Sequence, residues 1–164
     1  MISIRTMDAS DWAQVATIYR EGIDTGMATF ETTVPAYDKW DSSHLKHCRF
    51  VGLYKDSIAG WAALSPVSNR YVYRGVAEVS IYIGKDFRGL GIGKVLLRHL
   101  ILESEKEGFR TLQSGIFPSN KASIKLHESL RFRKIGKRER VGNLKGRWID
   151  NVLFERRSTK IGVE

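Results

Sequence analysis

The stretch that decides the fold is Ala77–Lys94, AEVSIYIGKDFRGLGIGK. Its first half alternates: Ala77, Val79, Ile81 and Ile83 point one way, and Glu78, Ser80 and Tyr82 the other, so it reads as a strand. Its second half, Arg88–Lys94, packs three glycines between two cations. From Ile92 to about Glu107, apolar residues recur at 92, 96 and 100 and at 97 and 101, the spacing of a helix that Gly108 ends. No Ser, Thr, Asp or Asn stands at the helix start, so its first backbone N–H groups have no side-chain cap. Glycines let a ligand approach the backbone, and the positive end of the helix dipole, with Arg88 and Lys94, favours an anion. A plain strand–helix turn would use the same glycines for their dihedrals.

Two phosphate loops are excluded by spacing. A Walker A loop needs G-x-x-x-x-G-K-[ST]; here Gly93 follows Gly89 by four residues, and Val95 stands where the hydroxyl should be. A dinucleotide loop needs G-x-G-x-x-G; counted from Gly89 or Gly91, the third glycine falls on Lys94 or Leu96.

The flanking segments favour a site over a plain turn. A central strand between helical layers is expected to be apolar on both faces. Glu78, Ser80 and Tyr82 in line therefore point to a lined cavity. Further on, Asn120, Ser123 and His127 share one stripe of a helix opened by Pro118-Ser119 and running through Leu130, with Ala122, Leu126 and Leu130 as its expected buried stripe.

Working outward, ISIRTM reads as a strand, followed by a helix to about Gly22 that Asp8 or Ser10 can cap. A loop leads to a polar helix starting near Pro35. RFVGLYKDSIAGWAALSPV reads as a hairpin around Lys55-Asp56-Ser57. TLQSGIF is a strand, and FRKIGKRERV and RWIDNVLFERR are two closing strands. The pattern predicts an α/β fold with a mixed, mostly antiparallel sheet of about seven strands and helices on both faces. The step from strand 77–83 through helix 92–107 to strand 111–117 makes one parallel pair.

The 164 residues suit one domain, 1–164. A single cysteine, Cys48, rules out an internal disulfide and fits a reducing compartment. With no signal-like or membrane-spanning run, a cytoplasmic location is expected. The net charge is +9, from 27 Lys and Arg against 18 Asp and Glu. That excess favours anionic ligands. Much of it lies late in the chain, at Arg131, Arg133, Lys134, Lys137, Arg138, Arg140, Lys145 and Arg147. Few aromatics alternate with these cations and no nucleic-acid motif appears, which disfavours a nucleic-acid partner. His44, His47 and Cys48 lack a second ligand pair, so no metal is expected.

Taken in order, these pieces resemble the GNAT acetyltransferase superfamily. Its acetyl-CoA loop, Q/R-x-x-G-x-G/A, reads here Arg88-Gly89-Leu90-Gly91-Ile92-Gly93. Its later helix, N-x-x-A/S-x-x-x-Y-x-x-x-G-F, is matched at Asn120 and Phe132, with His127 at the tyrosine and Arg131 at the glycine. AEVSIYI, LHESLRF, ATFETTVP and the spacing of Gly142, Gly146, Trp148 and Asp150 resemble the phosphinothricin and methionine-sulfone branch, whose members act on small amino acids.

The resemblance implies acetyl-CoA as co-substrate, lying against Ile81, Tyr82 and Ile83, with its pyrophosphate on Arg88–Lys94 and its arm near Asn120. It implies an acceptor held by Phe30, Thr32, Arg70 and Tyr73, beside Glu78 and Ser80. It also implies a homodimer. An α-amino group has a pKa of about 8 and must lose a proton before it attacks. Glu78 is the candidate base, its pKa raised if the carboxylate is partly buried. His127 is a candidate acid for the leaving thiolate or a second base. Backbone N–H groups near Tyr82 are candidates to hold the oxyanion. The alternatives are acetylation of a protein N-terminus or lysine, and a basic nucleic-acid-binding module without activity.

Overall fold

The alternating strand at Ala77–Ile83 lies in the middle of the sheet. The computed structural model describes residues 1–164. Its strands are Ile2–Thr6 (β1), Phe50–Tyr54 (β2), Ser57–Pro66 (β3), Val76–Ile83 (β4), Thr111–Ile116 (β5), Arg133–Leu144 (β6) and Arg147–Arg157 (β7). Its helices are Trp12–Asp24 (α1), Tyr37–Ser43 (α2), Ile92–Lys106 (α3) and Lys121–Ser129 (α4). All seven strands form one sheet in the order β1-β2-β3-β4-β5-β7-β6. Only β4 and β5 run parallel, because α3 crosses between them. The expected mixed, mostly antiparallel sheet is what forms.

The two faces of β4 feed two cores. Ala77 and Val79 are buried under α3 with Leu96, Leu97 and Leu100. Tyr82, on the opposite face, packs with Tyr19 of α1 and stacks on Trp61, with ring centroids 4.9 Å apart in both pairs. Trp40 of α2 is almost wholly buried in this second core. The helices therefore cover both faces of the sheet.

The structure decides three local points. Of the two expected caps Asp8 is the one in place: it is the N-cap of the 3-10 turn Ala9–Asp11 that runs into α1, in a capping box with Asp11. The Asp11 carboxylate accepts from the Asp8 N–H at 2.8 Å and from two Arg5 N–H groups at 2.8 and 2.9 Å. Those Arg5 bonds hold its carboxyl below the ordinary range. In α4, Ala122 is exposed, and His127 takes the most buried position, at 1 % exposure. The helix is rotated so that Leu126 leans toward Gly93, whose absent Cβ would meet it at 3.3 Å. Arg131 adopts φ 71, the left-handed value that the glycine it replaces adopts without strain.

The His44 ring stacks on Trp40 at 4.3 Å, and the His47 ring lies 6.1 Å from Phe109. No three His, Cys, Asp or Glu side chains gather into a metal-binding group. Burial pushes the Cys48 thiol up to about 11. No helix is long and apolar enough to cross a membrane.

Candidate active site

The β4–β5 pairing ends where the site begins. It covers only Val76↔Thr111, Ala77↔Leu112 and Glu78↔Gln113, while β3 follows β4 to Ile83. Beyond Glu78 one edge of β4 has no strand partner, and two cavities open beside it.

The first cavity, of about 360 Å³, brings together Ile81, Tyr82, Ile83, Arg88, Gly89, Gly91, Ile92, Gly93 and Asn120, as the sequence suggested. Gly89 and Gly91 have φ of 80 and 84°, and Gly91 is the residue that opens α3. The backbone N–H groups from Arg88 to Lys94 have no acceptor within the protein; the first that does is Val95, which bonds the Gly91 carbonyl at 3.4 Å. Five of these unpaired donors, at Arg88, Gly89, Gly91, Ile92 and Gly93, belong to residues that line the cavity at a helix N-terminus, a donor set that a pyrophosphate fits. Two residues of the loop stay outside the cavity. Leu90 is 43 % exposed and Lys94 points to solvent.

The second cavity, of about 340 Å³, takes in Phe30, Glu78, Ser80 and His127. It shares Ile81, Tyr82, Asn120 and Ser123 with the first, so the two meet along β4. Phe30 forms a wall. Its ring lies edge-on to Phe117 at 4.6 Å and directly over Gly142, where any Cβ would collide with it.

Thr32, Arg70 and Tyr73 do not reach this cavity. All three are exposed, and the Arg70 guanidinium lies 5.5 Å above the Tyr73 ring on the loop before β4. Gln113, Ser114, Glu31, Arg138 and Asn151 line it instead. Gln113 is the register partner of Glu78 and carried a signal in the β4–β5 step. Arg138 and Asn151 come together through a hairpin whose register slips, which no spacing rule foretells.

The family model for the acetyltransferase (GNAT) family matches residues 12–132. The chain belongs to that family. Its relatives include phosphinothricin N-acetyltransferase of Alcaligenes faecalis, 31 % identical over 94 % of this chain and 81 % of the relative. The L-methionine sulfoximine/L-methionine sulfone acetyltransferase of Pseudomonas aeruginosa is 29 % identical, over 93 % of this chain and 92 % of its own. The crystal structure of a GNAT superfamily phosphinothricin acetyltransferase from Sinorhizobium meliloti in complex with AcCoA superposes with a TM-score of 0.90. It is 30 % identical and covers 99 % of this chain and 91 % of that one. The resemblance drawn from the glycine loop and the histidine helix is borne out.

In this GNAT acetyltransferase the ionisable groups are placed as follows. Glu78 is exposed rather than partly buried, and its Oε1 accepts from Gln113 Nε2 at 3.3 Å. The His127 Nδ1 stands 2.8 Å from the Ser123 carbonyl oxygen. A carbonyl only accepts, so Nδ1 carries the proton. Nε2 is then a lone-pair acceptor, buried and without a partner in the protein. Burial pushes the His127 pKa down, which keeps the ring neutral. Burial also pushes the Tyr82 phenol well up, as it does Tyr19, to about 12. Trp148 is 62 % exposed, and Asp150 accepts from the Arg140 N–H at 2.8 Å, so the tail motif shapes a hairpin outside the cavities.

Proposed function

We propose that this enzyme moves the acetyl group of acetyl-CoA to the primary amine of a small amino acid of the phosphinothricin or methionine sulfone type, by direct attack in a ternary complex. The observation that carries the reading is the junction of the two cavities. An anion cradle lined by five residues with free N–H donors opens, along Ile81 and Tyr82, into a chamber holding a carboxylate and a neutral imidazole. The chamber is small, which suits a free amino acid. The two amino-acid-acetylating relatives support the same acceptor class.

Bound acetyl-CoA supplies an activated acyl carbonyl. Everything else falls to the chain. Arg88–Gly93 would hold the pyrophosphate through backbone donors, with the Arg88 guanidinium at the rim. The unpaired edge of β4 beyond Glu78 would orient the acyl arm and offer N–H donors to the carbonyl oxygen. Glu78 takes the proton of the acceptor's ammonium; being exposed, it can do so through water. His127 has its one proton committed to the Ser123 carbonyl, so it serves as an acceptor at Nε2 and not as the acid; as the C–N bond forms and the C–S bond breaks, the amine's second proton passes through water to the departing coenzyme A thiolate. Asn120 caps α4 by accepting from the Ser123 N–H at 3.2 Å and donates to the Met27 carbonyl at 3.3 Å, tying α4 to the loop over both cavities.

The test is free-thiol release from acetyl-CoA with phosphinothricin, methionine sulfone, methionine sulfoximine, ordinary amino acids and short peptides as acceptors. Turnover is expected with the sulfone and phosphinothricin types. Turnover with peptides and none with any free amino acid would replace this reading with protein acetylation.

A further inference from the structure

The acceptor cavity has one Lys or Arg among its lining residues, Arg138, an exposed side chain at its edge; the lining also includes the carboxylates Glu31 and Glu78. Arg138 makes no ion pair and no side-chain hydrogen bond. Several cations of the hairpin are paired, Arg133 and Arg157 with Glu155 and Lys137 with Asp150, and of those that are not, Arg138 is the one that lines this cavity. Directly across the ladder stands Asn151, the register partner of Arg138, whose buried Oδ1 has no partner either. The register slips between Arg138 and Gly142, where Arg140 adopts φ 49 and its N–H is held by Asp150. A bulge of this kind re-aims the side chains beside it. Gly115 of β5 makes room for the amide, since a Cβ there would lie 2.7 Å from Asn151 Nδ2.

We infer that Arg138 is a specificity residue that binds an oxyanion or strongly dipolar oxygen at the far end of the acceptor's side chain. Asn151, its register partner, carries a buried Oδ1 with no partner, an acceptor open to the guanidinium once a ligand draws it inward. This rests on the amino-acid reading above. Strand order sets which end of the acceptor is read. β6 lies three strand positions from β4, about 14 Å between backbones at the usual spacing, and more where β4 and β5 part. The reacting amine must reach β4, and its own α-carboxylate, on the same carbon, stays there with it. A cation on β6 meets a group carried several bonds away. A planar guanidinium with several donors suits a phosphinate, carboxylate or sulfone oxygen.

The test compares kcat/KM for three acceptors of similar length and the same α-carbon: L-phosphinothricin, L-methionine sulfone and L-norleucine. In Arg138→Gln the preference for phosphinothricin over norleucine is expected to fall by roughly ten- to a hundredfold, the worth of a charge-assisted pair. The loss for methionine sulfone is expected to be smaller. Arg138→Lys, which keeps the charge and loses the fork, is expected to retain part of the preference. An unmoved preference in Arg138→Gln, or one that collapses instead in Arg70→Gln, overturns the assignment. If none of the three amino acids releases thiol while a peptide does, the amino-acid reading fails and the role of Arg138 fails with it. Turnover with an unmoved preference overturns the role of Arg138 alone.

Discussion

Glu78 and Gln113 are the last register partners of β4 and β5, and their side chains join across the ladder at 3.3 Å. The sheet parts at that pair, so the carboxylate proposed to take the proton stands at the point where the cavities open. Gln113 bonds one Glu78 oxygen, and the other has no partner in the protein.

Glu78→Gln is therefore expected to lower kcat by a hundredfold or more, the usual worth of a positioned general base. The variant should also recover as pH rises and the free amine becomes abundant. Steady-state rates across pH decide this; full activity at every pH would remove Glu78 from the role.

Gly91 opens α3 with φ of 84°, and a Cβ there would touch nothing within 4 Å. Gly91→Ala therefore adds backbone strain without a clash, about 1–2 kcal/mol. The melting temperature is expected to fall by several degrees, with a higher KM for acetyl-CoA, because the cradle donors are re-aimed. Thermal melting and KM for acetyl-CoA are the readouts.

Gly142→Ala places a methyl in the ring of Phe30. Phe30 must leave the wall of the acceptor cavity, so KM for the amino acid should rise several-fold while KM for acetyl-CoA moves little. Equal changes in both would mean that Phe30 serves the fold and not the acceptor.

Burial lowers the pKa of His127, and of His44 likewise. The unfolded chain then binds protons that the folded chain does not. Stability conferred by neutral His127 is complete above the unfolded value of about 6.5 and is lost as pH falls toward the lowered folded value. The melting temperature should drop as pH is taken below about 6.5. In His127→Gln that drop should be shallower, with the part due to His44 remaining.

The alternation in Ala77–Ile83 and the glycines after it revealed the middle of the fold because both are local: a period of two, then a loop that needs left-handed backbone. The same holds for the cradle, whose residues are contiguous. The acceptor cavity was half legible. Glu78, Ser80, Phe30 and His127 reach it, but Arg70, Tyr73 and Thr32 remain on exposed loops. Arg138 was visible only as one of many late cations. Its place is set by the slipped β6–β7 register and by the positive φ of Arg140, which are tertiary facts. The rotation of α4 escaped for a similar reason. A short helix at the edge of the sheet turns to bury whatever its neighbours leave room for, here His127 in place of Ala122.

The central claim is direct transfer from acetyl-CoA to a free amino acid. It is tested most directly by mixing the protein with acetyl-labelled acetyl-CoA and methionine sulfone and following the label by mass spectrometry. One labelled N-acetylmethionine sulfone is expected for each thiol released, with the mass of the protein unchanged throughout. Label retained on the protein during turnover, or thiol released without acetylated amino acid, would contradict it.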